Sequence, residues 1–286
     1  NIPSTVYDKS AQAYVDTTAW DVSAQQDKSI LAWYETNANG TVKVYIGSDY
    51  EIFGNYDSTD LFAYVGYSAN CNSGKTIINI GLLNVGSVTN MKGMFRFTGA
   101  SKMYKLDLGT NFDTSNVIDM SGMFYYTGRK SMYILNLGER FNTAKVTKMD
   151  DMFNGTGYSE MTDLDLRNSF DTSNVTSMNN MFNAVGRMKL TTLNLRDKFD
   201  TSNVTGMNYM FYNAGYSSLT ILELGKKFNT SNVTTMAAMF GNMTKLKQLE
   251  LGDKFDTSNV KSMDYMFAED NALEKLNLGD KFDTSN

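Results

Sequence analysis

Two hydrophobic patterns alternate along most of this chain and recur at a fixed interval. The first is a leucine pair split by one polar residue: Leu106/Leu108, Leu135/Leu137, Leu164/Leu166, Leu193/Leu195, Leu222/Leu224, Leu249/Leu251 and Leu276/Leu278. Alternation at period two sets both leucines on one face of a short strand and the residue between them on the other. The second is Met-x-x-Met-Phe, ending at Phe95, Phe124, Phe153, Phe182, Phe211, Phe240 and Phe267, with steps of 29 residues five times and then 27. A constant period of this size is the signature of a solenoid, in which each unit buries its apolar face only against its neighbours. Stacked units place the leucine strands side by side at about 4.8 Å as a parallel sheet. Val117, Val146, Val175, Val204, Val233 and Val260 open a second short extended piece. Met-x-x-Met-Phe fits a single helical or 3₁₀ turn, because residues three apart share a face.

Between these patterns lies a polar phrase, Phe-Asp-Thr-Ser-Asn-Val-Thr. Its asparagine recurs as Asn116, Asn174, Asn203, Asn232, Asn259 and Asn286, with Lys145 in the remaining unit. An inward asparagine at a bend bonds backbone groups that the bend leaves unpaired, so this row is expected to be a structural ladder. The competing reading is N-glycan attachment, since Asn174-Val-Thr, Asn203-Val-Thr and Asn232-Val-Thr match the acceptor pattern. An inward residue excludes it. The row from Thr114 to Thr284 and the partial row Thr147, Thr176, Thr205 and Thr234 raise a flat ice-binding face, weakened by the lack of regular Thr-x-Thr pairs on one strand. The row from Asp113 to Asp283 raises calcium, but that ion needs about six to eight convergent oxygens, and Asp or Asn before a bend is ordinary turn chemistry. Fourteen of the 19 methionines sit in Met-x-x-Met-Phe; their registration with Leu and Phe marks core rather than a soft-metal face.

Residues 1–75 depart from the unit and are expected to form an N-terminal cap. Ile30–Tyr34 and Val42–Ile46 flank Asn39-Gly40, a β-hairpin signal. Both tryptophans, Trp20 and Trp33, lie here and suit a lid over the apolar end of the stack. Leu61-Phe62 is a degenerate Met-Phe opening an atypical first unit. Residues 76–286 are then a solenoid of about seven units of 27–29 residues. The chain starts without Met and stops inside a unit at Asp283-Thr284-Ser285-Asn286. It therefore reads as a piece of a longer protein, with further repeats or a capping domain expected beyond Asn286.

The phrase Asp171-Thr172-Ser173-Asn174-Val175-Thr176-Ser177-Met178-Asn179-Asn180-Met181-Phe182 resembles the units of the BspA-like leucine-rich-repeat surface proteins of bacteria. The likeness spans about residues 83–286. It implies a leucine-rich-repeat-like, right-handed β-rich coil with short second strands, exposed outside the cell and attached through other parts of the parent. Adhesion to a host or microbial surface protein or glycan is the role it implies; a spacer without a ligand is the alternative. The loop after Met-Phe, as in Tyr125-Tyr126-Thr127-Gly128-Arg129, is longer than in the commoner units and lacks their cysteine.

Charge narrows the function further. With 26 Lys+Arg against 31 Asp+Glu the net charge is −5, and no basic stripe exists for a phosphate backbone, so nucleic acid is not an expected partner. Histidine is absent and Cys71 is the single cysteine, which excludes Cys/His zinc sites and His-activated nucleophiles. No cofactor is expected. Carboxylates repeated identically every turn lack the differentiated pair that glycosidase chemistry requires. No apolar run reaches the roughly 20 residues that span a bilayer. Binding is expected on positions that vary between units: first the outward sheet row Asp107, Asn136, Asp165, Asn194, Glu223, Glu250 and Asn277, whose acidity favours a basic partner. Second come the loops carrying Tyr125, Tyr126, Arg129, Tyr133, Tyr158, Arg187, Tyr212 and Tyr216, since Tyr and Arg anchor interfaces.

Overall fold

The structure is a computed structural model that describes residues 2–23, 26–36, 38, 42–67 and 76–285. The Asn39-Gly40 turn, Cys71 and Asn286 lie outside the described residues. The fold is β-rich and repeats turn by turn, and no helix occurs among the described residues.

The repeating core is one continuous cluster from Val85 to Met266, and the motif explains its order. Phe95, Phe124, Phe153, Phe182, Phe211, Phe240 and Phe267 stack in a column, with rings 5.4–5.7 Å apart and within 10° of parallel. Such offset stacks are worth about 0.5–1.5 kcal/mol per pair beyond burial. A second column runs through Phe141, Phe170 and Phe199 and again through Phe228, Phe255 and Phe282. The Met and Leu repeats fill the space between them.

Met-x-x-Met-Phe is not helical. Met94 N–H bonds the Met91 carbonyl, closing a four-residue turn whose third residue, Gly93, has φ +62°. That is the type II arrangement, repeated at Gly122, Asp151, Asn180, Tyr209, Ala238 and Tyr265. The turn leaves the N–H of its third residue, such as Gly93, and that of the phenylalanine two residues on facing the adjoining unit. Phe95, Phe124, Phe153, Phe182, Phe211 and Phe240 thus donate to Met123, Met152, Met181, Met210, Met239 and Met266. Period-three spacing was shared by helix and turn, and inter-unit bonding decides for turns. The valine-led piece shrinks to one parallel bridge per unit, running through Asn90, Asp119, Lys148, Ser177, Gly206, Thr235 and Ser262.

Both polar rows bridge successive units, but the asparagine row does so from the outside rather than facing inward as expected. The asparagines are exposed, and Asn116, Asn174, Asn203, Asn232 and Asn259 each donate Nδ2 to a backbone carbonyl of the preceding unit at 2.7 Å. Lys145 reaches the Asn116 side-chain oxygen at 2.7 Å. The buried ladder is threonine. Thr114, Thr143, Thr172, Thr201, Thr230 and Thr257 are at most 1% exposed, and each hydroxyl donates to a carbonyl of the next unit at 2.7–2.8 Å. A row so enclosed presents no ice-binding face. Threonine wins the interior because its methyl packs against the core while its hydroxyl serves the bend. The preceding Asp or Asn makes an Asx turn, as where Asp171 accepts from Ser173 N–H.

The leucine strands form short parallel pairs rather than one sheet. Strand β7 (Thr76–Asn79) pairs β9 (Met103–Asp107), which pairs β10 (Ile134–Asn136); β11 (Thr192–Asn194) pairs β12 (Ile221–Glu223); β13 (Gln248–Glu250) pairs β14 (Lys275–Asn277). The turn at 162–168 is not a strand.

At the N-terminus, β1 (Tyr7–Asp8) pairs β2 (Ala13–Tyr14), and β3 (Trp20–Asp21), β4 (Ile30–Thr36) and β5 (Val42–Ser48) form an antiparallel sheet. This part has its own core of Ile2, Val6, Tyr7, Leu31 and Trp33, so Trp33 does not lie on the end of the stack, as a lid would. The stack is continued instead by the degenerate unit: β6 (Ile52–Phe53) pairs β8 (Leu83–Asn84), and Phe62 stacks on Phe95 at 5.4 Å.

Candidate functional site

Strand alternation sets the outward row at the positions between the leucines, and its members bond each other. Asn136 donates to Asp107 at 2.8 Å, Asn194 donates to the Glu223 carboxylate, and Lys275 pairs with Glu250 at 2.9 Å. Burial would raise the Asp107 carboxyl, but Lys105, Gly109 N–H and Asn136 outweigh it and hold the carboxyl below its ordinary value. The Glu250 carboxyl is lowered by Lys275 and Asn277. Asp107, Asn136, Asp165, Asn194 and Asn277 also accept the N–H two residues on, which ends each strand in a tight turn.

The tyrosine loops form a second surface. Tyr126 stacks on Phe97 at 5.7 Å and lies over Gly155, where an added Cβ would meet its ring at 2.7 Å. Tyr125 packs edge-on to Tyr126, and burial raises its phenol above the ordinary value. Along the column, Arg129 lies between the Tyr126 and Tyr158 rings, and Arg187 between those of Tyr158 and Tyr216. This cation–π ladder crosses several units and leaves the rings half-buried. Tyr212 accepts from Asn242 at 2.7 Å. Tyr133, next to Tyr104 at 5.3 Å, donates to Glu160 at 2.6 Å, which also takes Lys189 at 2.6 Å.

A third feature was not anticipated. The residue after the second leucine of each pair has φ between +59° and +80° and is glycine at 109, 138, 225, 252 and 279 but arginine at 167 and 196. Glycine is needed for more than its φ. A Cβ on Gly138 would stand 2.0 Å from the Gly109 carbonyl, and one on Gly225 2.7 Å from that of Arg196. Arg167 and Arg196 carry that atom where the other five units have none. Ladder pairing is absent at these two junctions and resumes at β11–β12, where Gly225 returns; it lapses again between β12 and β13, where Gly252 follows the leucine pair, so glycine alone does not secure it. A left-handed non-glycine residue also costs about 1–2 kcal/mol. Beside these arginines lies a depression of about 390 Å³ lined by Glu139, Asp165, Arg167, Asn168, Ser169 and Arg196. A second, of about 240 Å³, adjoins it through Glu139 and Ser169 and adds Arg140. Arg167 donates to Asn136 at 3.0 Å and Arg196 reaches Asp165 at 3.4 Å. The sequence held this signal: Leu-Gly in five units and Leu-Arg in two.

Of the residues expected to bind, only Asp165 lines this groove. No group of three or more acidic or cysteine side chains suited to a metal occurs among the described residues.

Comparison with curated proteins finds no match, and comparison with solved structures finds none. Three overlapping segments, residues 71–164, 127–224 and 217–286, match the family described as Mycoplasma protein of unknown function, DUF285. The matched segments take in every complete repeat of the stack, and the chain belongs to the DUF285 family.

Proposed function

We propose that this chain is an extracellular recognition module of a bacterial surface protein, a BspA-like leucine-rich-repeat coil that adheres to a protein or glycan through the side of its stack. The observation that carries the reading is the division of labour among positions. Residues constant from unit to unit are consumed by the phenylalanine columns, the threonine ladder and the turns. Residues that vary lie on the outer faces, where a long regular stack offers contact area without a deep pocket. Anchoring to the cell belongs to other parts of the parent.

The spacer alternative draws on one observation: much of the outward row is occupied by cross-turn pairs such as Asn136–Asp107 and Asn194–Glu223. Glycan-array and host-protein binding measurements separate the two. A recognition module gives saturable binding on at least one panel, whereas silence on both leaves the spacer.

A further inference from the structure

We propose that the groove lined by Arg167 and Arg196 is the binding site of the module and that it takes an acidic polysaccharide. The inference rests on the recognition reading above and names the ligand class. Three of the six arginines, Arg140, Arg167 and Arg196, line the two adjoining depressions, while the other three, Arg96, Arg129 and Arg187, stack on tyrosine rings. Each guanidinium carries five N–H donors in a planar fork suited to carboxylate or sulfate. Arg167 and Arg196 commit few of theirs inside the protein, and Arg140 is exposed.

The rest of the lining selects among anions. Glu139 and Asp165 are acceptors set among the arginines. A ligand with anionic groups alone would be repelled by them. A sugar chain bearing both acid groups and hydroxyls satisfies both kinds of partner, its acids accepting from arginine and its hydroxyls donating to carboxylates. The groove is open and polar, as a chain passing across it requires. Two arginines stand in it where the other five units use glycine, both with left-handed backbone, a strain that the repeat avoids elsewhere at this position. Departures of this kind concentrate at functional sites.

The test is biolayer interferometry on the whole chain with heparin, hyaluronan and neutral dextran. Hyaluronan carries carboxylates only and heparin adds sulfates, so the pair tells the two acid sources apart. The expected result is saturable binding to at least one of them, weakening as salt rises, and none to dextran. Arg167→Ala with Arg196→Ala keeps both Cβ atoms but removes the guanidiniums, and should weaken binding about tenfold or more while leaving Tm little changed. Arg167→Gly with Arg196→Gly should abolish binding and raise Tm slightly, by relieving two left-handed positions that carry side chains. Lys254→Ala with Lys261→Ala removes equal charge elsewhere and should bind like the parent. Silence toward both acidic polysaccharides overturns the proposal, as does unchanged binding by the Ala pair. In either case, saturable binding of a host protein or neutral glycan would leave the recognition reading standing.

Discussion

Thr201 and Asn203 sit two positions apart in one bend, yet the structure gives them unequal weight. The Thr201 hydroxyl is fully buried, donates to the Asn229 carbonyl at 2.7 Å and accepts the Asn229 N–H at 2.7 Å. Thr201→Val keeps the shape and strands both backbone groups, so it should cost about 2–4 kcal/mol. Asn203 is exposed and its amide serves one carbonyl that water can also reach. Asn203→Ala should cost at most about 1 kcal/mol. Urea denaturation of the two variants checks the ranking, and the reverse order would return the ladder to asparagine. The asparagine row does tie each unit to the one before, but sequence alone did not show that it lies outside and that the buried row is threonine, because every position of Asp-Thr-Ser-Asn recurs equally. Recurrence shows that a residue matters but not which way it points. Gly122 isolates a different term. Its φ is +60° and an added Cβ would meet nothing nearer than 3.7 Å. Gly122→Ala therefore carries backbone strain without a clash and should destabilise by about 1 kcal/mol.

Loops and strands were legible to different degrees. The leucine pairs announced parallel strands by period two, and the pairing of Leu135 with Leu106 and of Leu222 with Leu193 follows that register. Where the sheet parts was not legible: pairing lapses around Arg167 and Arg196, but also between β12 and β13, where glycine stands at 225 and 252. The shortened loop after Phe240 shows how a two-residue deletion is accommodated. In the longer loops a glycine N–H, such as Gly186, bonds the preceding unit at Thr156. After Phe240 the Met243 N–H bonds the Asp270 carboxylate of the following unit instead, at 2.7 Å. Burial pushes the Asp270 carboxyl up to about 6. The folded chain thus holds this proton more tightly than the unfolded chain does. Stability from this group is full below about pH 4 and falls as pH rises through about 6. Asp270→Asn keeps an acceptor for Met243 and removes the charge. It should flatten that fall and stabilise the protein at neutral pH by about 1–2 kcal/mol, a figure reduced from the full shift because the group is partly solvated. Thermal melts from pH 4 to 8 give the comparison, and an unaltered pH profile would refute it.

Across the whole molecule, the 29-residue period carried the solenoid because each unit solves the same burial problem against its neighbours. The N-terminal part was less legible. Its hairpin and tryptophans were readable, but not that Trp33 belongs to a separate small core while Phe62 and Leu83 adjoin the stack. An apolar cluster in sequence does not say which core it joins. Residue-resolved hydrogen exchange tests the central claim most directly, namely that hydrogen bonds from the Met-x-x-Met-Phe turns tie successive units even where the leucine strands are unpaired. The account predicts strong protection of the Phe95, Phe124, Phe153, Phe182, Phe211 and Phe240 amides, which donate between units. It predicts fast exchange from Thr162 to Leu166, where the strand is lost. Unprotected phenylalanine amides, or protection running evenly through 162–166, would contradict it.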